Sequence, residues 1–493
     1  MPKDALPTKE RLESYVNFFG PDVLSTDGTV LWCKPCDKEI SRDKEFAVAQ
    51  HAAGASHIKL LKQVMEPSSP RAVEFGDSLV TAGGKAQYSM DLCDAFFSAN
   101  ILLRKLDHAK LKAFLEKYIS QATPSSVTVR LNYISDLYER KLKHIRNSVT
   151  GKKIWISLDE TTDVTGQFVA NAVIGTLDTS DPKVHLLHTE HLEKTNHSTV
   201  AQMFLNSLAV LWPTGMKHDD VLLFVTDCAP YMKKAGATLK VIFPKMLHVT
   251  CAAHALHRIA EVIRHSFKDV DSLVSNGKKI FRKSPSRLTM FRKLASGAPL
   301  PPQPVLTRWG TWLDAAIYYA ENLHAFSQVV NRLHADEAEC IGVTQKLLKK
   351  RTLEGSLAVI AANFRCISPT IEKLEGKNAP LTENTRTFEE LIDYPRRIPG
   401  AIGGKVSRKC DWVLSQNPDY KELSAIAKVL RGDVSALNET GLSPSEVAAF
   451  KFAPITSVDV ERSFSFLKHV LNDRRQSFTF VNLKMVLVTA CNP

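Results

Sequence analysis

Four side chains near the N-terminus have the types and the spacing to hold a metal ion. Cys33-Lys-Pro-Cys36 is followed after fourteen residues by His51, and after five more by His57. Zinc takes four soft or borderline ligands at the corners of a tetrahedron, and two thiolates with a helical histidine pair supply them. A segment of about 60 residues has too little apolar core to fold alone, so metal binding would also be a folding requirement. The expectation is one zinc ion on Cys33, Cys36, His51 and His57. Residues 1–66 are slightly acidic by count, so any contact with nucleic acid must come from a positioned face.

Three acids could serve phosphate chemistry. Asp159 ends the apolar run Ile154-Trp-Ile-Ser-Leu158, and Asp227 ends the run Val221-Leu-Leu-Phe-Val-Thr226. Alone, an acid at a strand end is as readily a turn former or a helix cap. On neighbouring strands, both carboxylates would project from one sheet edge, where their hard oxygens suit Mg²⁺. Glu461 is the candidate third acid. It falls within the apolar stripe Val458, Phe464, Leu467 of a late helix, where a carboxylate needs a partner or a metal. The alternative is an ion pair with a nearby Arg such as Arg462. Three carboxylates could hold two ions, Mg or Mn, for in-line phosphoryl transfer. His248, Cys251, His254 and His257 also have metal-like spacing, and a second zinc site there stays open beside a structural role.

Positioning these groups takes several domains, because 493 residues exceed one ordinary core. A hydrophobic share of 44% with 24% charged residues excludes wholesale disorder. Nine scattered cysteines give no disulfide framework and fit a reducing interior. The N-terminus, MPKDALPTKE, lacks the apolar core of a signal peptide, and the longest apolar runs are strand-length. A soluble intracellular protein with no membrane partner is expected. Residues 67–90, rich in Pro, Ser, Gly and Ala and without periodicity, read as a linker. Residues 91–150 have helical spacing and read as a helical module, with a turn at QATPSS. Strand-like runs follow at Ile154–Leu158, Phe168–Thr176 and Val184–Leu192, then a helix over His197–Leu211 and a buried strand over Val221–Val225. Three strands, a helix, a fourth strand and then helices is the order of an RNase H-like fold. From about 265 to 450 the chain reads as helical, broken by loops at 301–304 and 376–408.

The charge is local. There are 64 basic and 52 acidic residues, a net +12, and Lys240 to Leu300 alone holds twelve Lys and Arg against three acids. Such clustering points to a phosphate-binding surface that includes Lys278, Lys279, Arg282 and Lys283, with a solvated helix face as the alternative.

The blocks Leu223-Phe-Val-Thr-Asp227, Thr250-Cys251-Ala-Ala-His254-Ala-Leu-His257-Arg258, Thr307-Arg308-Trp309 and Ser457-Val-Asp-Val-Glu461-Arg-Ser-Phe-Ser465 occur in the order found in hAT superfamily DNA transposases. Over roughly residues 91–493 the chain resembles that superfamily. The N-terminal finger is similar to BED-type fingers and to the CGG triplet repeat-binding protein family. The resemblance implies an α/β fold of large helical content. An RNase H-like core (151–265) is interrupted by an all-α insertion (266–450) and completed by 451–493, the hAT dimerisation region that runs through Arg474-Arg475 to Cys491-Asn492. It further implies a cut-and-paste transposase that cleaves and joins DNA at its element's terminal repeats. Asp159, Asp227 and Glu461 match the catalytic acids, and Cys251 with His254 the Cys-x2-His motif. Trp309 matches an aromatic residue that stacks on a flipped base, with His254 and Arg308 beside the DNA. The implied partners are double-stranded DNA, at terminal repeats and target site, and further copies of the chain as a homo-dimer or larger homo-oligomer, in the nucleus. Cys228 and Pro230 depart from the small or polar residues usual after the second acid. The rival expectation is a domesticated, sequence-specific DNA-binding regulator without transposition activity.

Overall fold

The computed structural model describes residues 8–492 apart from 22, 27–29, 37, 41–44, 59–60, 62–77, 120, 178–181, 296, 306–308 and 473–477. The chain divides into two units, Met1–Gly84 and Lys85–Pro493. The first unit has helix α1 (Thr8–Phe19), a three-stranded antiparallel meander β1 (Leu24–Thr26), β2 (Leu31–Cys33) and β3 (Lys38–Ile40), and helix α2 (Glu45–Ala52). Its core is Leu12, Tyr15, Val23, Leu24, Leu31, Cys33, Ile40 and Val48. So few apolar side chains give little stability on their own.

Helix α3 (Ser78–Ser98) corrects the linker expectation, because residues 78–90 are helical. The Gly83-Gly84 pair interrupts the helical pattern in the sequence, and the later turns of the helix bury Met90, Cys93, Phe96 and Phe97. The remainder of that stretch, 67–77, lies outside the described residues. Helices α4 (Ala109–Ile119), α5 (Ser126–Asn132) and α6 (Ile134–Ser148) follow. Ile134, Leu137, Tyr138, Leu142 and Ile145 form the buried face of α6, at the helical spacing read from the sequence.

The second unit is mixed α/β and mostly helical. Its sheet has the order β6-β5-β4-β7-β8, with β4 (Ile154–Thr162), β5 (Phe168–Thr176) and β6 (Val184–Leu192) antiparallel. Strands β7 (Val221–Thr226) and β8 (Leu247–Thr250) run parallel to β4. Helix α7 (His197–Leu211), opened by an Asn196–Thr199 capping box, makes the crossover from β6 to β7. Every residue of β7 is buried, as a central strand covered on both faces requires. Helix α8 (Pro230–Lys240) joins β7 to β8.

Helices then follow as α9 (Ala252–Ser266), α10 (Lys268–Phe281), α11 (Pro285–Leu294), α12 (Trp309–Val330), α13 (Glu339–Leu348), α14 (Arg351–Phe364) and α15 (Ile367–Leu374). Next come α16 (Leu381–Asp393), α17 (Gly400–Ser415), α18 (Tyr420–Leu430) and α19 (Pro444–Ala449). The loop expected over 376–408 is corrected by α16 and α17. Pro380 and Pro399 are the residues just before these two helices, where a proline does not break them, and a Cβ on Gly403 would sit 1.9 Å from the Ile398 carbonyl oxygen. Residues that looked like loop formers are therefore helix starts and a close backbone approach. The chain then returns to the sheet. Helix α20 (Val458–Val470) packs on β4 and β5, with Asn171 Nδ2 donating to Ser463 Oγ at 2.7 Å. Helix α21 (Phe480–Cys491) packs on β6 and α6, and Asn492 Nδ2 donates to the Leu186 carbonyl at 2.8 Å. Arg474 and Arg475 lie outside the described residues.

Candidate active site and metal centre

In the first unit Cys33 closes β2, Cys36 sits in the turn that follows, His51 is in the last turn of α2 and His57 lies just beyond it. One ligand atom from each lies within 4.8 Å of every other. The His57 Nδ1 atom is 3.2 Å from Cys33 Sγ and 3.3 Å from Cys36 Sγ. Among the described residues, His51 Nε2 is buried with no hydrogen-bond partner. Burial pushes the Cys33 thiol up to about 12, and it lowers both histidines, His51 further through His57 and Lys38. Two sulfurs and two neutral imidazoles this close together form a zinc-type Cys2His2 group.

In the second unit the two aspartates come level by strand register. Ser157 of β4 stands opposite Val225 of parallel β7, so two residues further on Asp159 meets Asp227 where β7 ends. Asp159 is not at the end of its own strand, since β4 continues to Thr162 along β5. It is past the end of its pairing with β7. Asp227 Oδ1 accepts from Ala229 N at 3.0 Å and so shapes the turn into α8, whose first position Pro230 tolerates well. Burial raises the Asp159 carboxyl to about 8; His254 opposes this, and Asp227 and Glu160 add to it.

Glu160, which the sequence reading passed over, completes an acidic neighbourhood. Tyr231 of α8 donates its hydroxyl to Glu160 Oε1, while Glu160 Oε2 is buried without a hydrogen-bond partner among the described residues. Its carboxyl is raised by burial and by Asp227, against the Tyr231 hydrogen bond. The adjacency of two acids at 159 and 160 was the available signal.

Glu461, in the first turn of α20, reaches this neighbourhood through His254. His254 Nδ1 lies 3.7 Å from Glu461 Oε1, and Cys251, His254 and Glu461 bring one ligand atom each within 4.8 Å of one another. Ser457 N donates to Cys251 Sγ at 3.2 Å, and Ala252 N to the Ile455 carbonyl at 2.8 Å, so the start of α9 is pinned against the start of α20. Burial disfavours the charged form of His254, but Cys251, Glu461 and Asp159 outweigh it and hold the imidazole at about 10. Arg462 is not the partner of Glu461; it pairs with Asp459 at 2.7 Å.

His248 and His257 stand apart from this group. His248, on β8, stacks on Phe224 with ring centroids 4.9 Å apart and meets Thr226 Oγ1 at 2.9 Å, while burial lowers it to about 4. His257 Nδ1 accepts from Gly310 N at 3.3 Å. A four-ligand zinc site from the His248–His257 run is therefore not formed. A Cβ on Gly236 would fall 2.1 Å from His248 Nδ1. Gly236→Ala should lower stability by about 1–3 kcal/mol, read as a fall in thermal midpoint, because the ring is fixed on three sides.

The basic segment is not beside the acids. Lys278, Lys279 and Arg282 line a cavity of about 280 Å³ with Arg264, Asp271 and Trp312. Arg264 is ten residues along α9 from His254, about 15 Å at helical rise. Lys283 is exposed, with φ of 58°. If these side chains bind phosphate, neutralising Lys278, Lys279, Arg282 and Lys283 together should lower the salt slope of log K on duplex DNA by about 0.9 for each lost contact. An unchanged slope in a titration of salt against affinity identifies a solvated face. Thr307, Arg308 and the side chain of Trp309 lie outside the described residues; the backbone of Trp309 opens α12.

Residues 130–280 match a family described as a domain of unknown function, DUF659. The chain is 26% identical over 133 residues to CGG triplet repeat-binding protein 1 of Mus musculus and to that of Homo sapiens, covering 26% of this chain and 79% of each relative. These similarities bear out the resemblance to hAT-type transposases with a BED-like finger. Among solved structures, the chain is similar to the Drosophila P element transposase strand transfer complex. That likeness covers 87% of this chain and 93% of that one, at 11% identity and a TM-score of 0.36. Among the described residues no helix is long and apolar enough to cross a membrane.

Proposed function

We propose that the chain is a hAT-like DNA transposase whose second unit is an RNase H-like core, 151–265 and 451–493, with 266–450 as its helical insertion. The carrying observation is the level placement of Asp159 and Asp227 at the end of the parallel pair β4–β7, with the start of α20 pinned nearby through Cys251 and His254. Acidic oxygens gathered at one end of the sheet fit hard divalent cations, and burial, with Asp227 and Glu160 adding to it, raises the Asp159 carboxyl. Asp159, Asp227 and Glu461 would hold two Mg²⁺ or Mn²⁺ ions. Such ions, when bound, supply Lewis-acid stabilisation of in-line phosphoryl transfer.

The protein's own groups have separable tasks. Asp159 and Asp227 present oxygens from rigid backbone, one from a strand and one from a turn it caps itself. Tyr231 fixes Glu160 beside them. His254, held protonated, orients Glu461. The finger, on Cys33, Cys36, His51 and His57, would select the DNA site, and further copies of the chain would assemble through the 451–493 region. The reading places the protein in the nucleus. A direct test is nicking of supercoiled plasmid by the purified protein with Mn²⁺. Nicked product that disappears with EDTA and with Asp227→Asn supports the reading, and a product insensitive to both overturns it.

A second reading, a sequence-specific DNA-binding regulator without transposition, is favoured by the relatives named for binding CGG triplet repeats. It predicts tight, zinc-dependent binding with no nicking.

A further inference from the structure

One face of α17 lies outside the basic segment and outside the hAT-like blocks. Lys405, Arg408, Lys409 and Trp412 recur at i, i+3, i+4 and i+7, the spacing of a single helical face. Lys405 and Arg408 are exposed, and Trp412 leaves 41% of its surface open. Lys409 Nζ lies 3.7 Å from the Trp412 ring centroid. The one acid in this stretch, Asp411, is taken by Arg396 at 2.7 Å.

The direction of this face gives it meaning. Helix α17 packs on α9, and Lys405 Nζ donates to Ser266 Oγ, at the far end of α9, at 3.0 Å. Four residues on, burial and the Arg258 guanidinium hold the Lys409 ammonium below its ordinary range, while Glu261 and Cys228 act the other way. Arg258 and Glu261 are in the middle of α9, and Cys228 directly follows Asp227. The face therefore runs antiparallel to α9, from the end that carries the Lys278 cavity toward the carboxylates. Lys409 therefore lies near both the Arg258 guanidinium and the Glu261 carboxylate, a group of net positive charge that a phosphate would complement.

We propose that Lys405, Arg408, Lys409 and Arg258 form a phosphate track for a DNA strand entering the carboxylate site, and that Trp412 receives an unpaired base of that strand. The assignment rests on the reading of the carboxylates as a DNA-processing site. A ring flanked by cations suits single-stranded nucleotides, because every base has a π-face and stacking tolerates any sequence. Duplex DNA offers phosphates but no free base faces.

The test uses the full chain and two fluorescent DNAs of mixed sequence, a blunt duplex and the same duplex with a single-stranded tail. Trp412→Ala should weaken binding of the tailed DNA about tenfold and of the blunt DNA less than about twofold. Trp412→Phe, which keeps a ring, should retain most of the difference. The triple variant Lys405→Gln, Arg408→Gln, Lys409→Gln should lower the salt slope on the tailed DNA by about 2, at roughly 0.7 per contact on single strands. All variants should keep the wild-type melting temperature, since the changes are at the surface. Unchanged affinity and slope, with wild-type binding intact, overturn the track and leave the carboxylate reading standing. Equal loss on both DNAs overturns the role of Trp412. A wild-type protein that binds neither DNA overturns the track and the proposed function together.

Discussion

Asp159→Asn should lose metal-dependent strand cleavage by roughly a thousandfold or more, and it should also melt at a higher temperature than the wild type when both are held in EDTA. The two effects have one cause. Folding moves the Asp159 carboxyl from an ordinary 3.8 up to about 8, chiefly by burial. An acid raised in the folded state binds its proton more tightly there than in the unfolded chain. Between about pH 4 and 8 the native state therefore loses relative stability as pH rises, and above that window the penalty is constant. Asparagine removes the titration and with it the slope. A residue serving only the fold would show the reverse, a lower melting temperature. Asp227→Asn and Glu461→Gln should also abolish cleavage while DNA binding persists, and the double variants should be no worse than the singles, since the three act as a unit. Cleavage by any single variant at the wild-type rate removes that residue from the site.

The second large effect is in the finger. Cys36→Ser or His57→Ala should release one zinc ion per chain and unfold residues 25–62, leaving the second unit folded. The loss follows from the size of the core, where Leu12, Leu24, Leu31 and Val48 are among the few buried side chains. Structural zinc at pH 7 contributes about 10–16 kcal/mol in comparable small fingers, far more than such a core can replace. Metal analysis of the full chain, with hydrogen exchange resolved over 25–62, reads both parts. Retention of zinc in both variants contradicts the ligand set.

The sequence made some of this legible for identifiable reasons. The run Val221–Thr226 is apolar throughout because β7 is covered on both faces, so it could be recognised as a central strand. Asp159 and Asp227 were visible because each ends a run that burial keeps apolar. The finger was visible because tetrahedral coordination fixes ligand types and spacing. What was hidden depends on contacts between distant segments. His254 meets Glu461 across more than two hundred residues, and Cys251 accepts from Ser457 across a similar gap. Nothing in the local pattern of either helix marks those pairs. His248 could not be told from a ligand until Gly236 and Phe224 were seen to enclose it. The misread loop at 376–408 has another cause, since proline and glycine serve helix starts and close helix approach as readily as they serve turns. The charge count found Lys278 and its neighbours but not their distance from the acids, because a helix can separate residues that are near in sequence. The same count missed Lys405, Arg408 and Lys409, which α17 brings alongside α9.

The most direct measurement is excision of the element from a plasmid that carries its native flanking ends, with the wild type and Asp227→Asn run side by side. A hAT-type nuclease core gives excision products with the wild type, none with Asp227→Asn, and equal binding of the ends by both. Equal binding with no excision by either protein, under conditions where zinc is bound and Mg²⁺ or Mn²⁺ is present, contradicts the transposase and leaves the DNA-binding regulator.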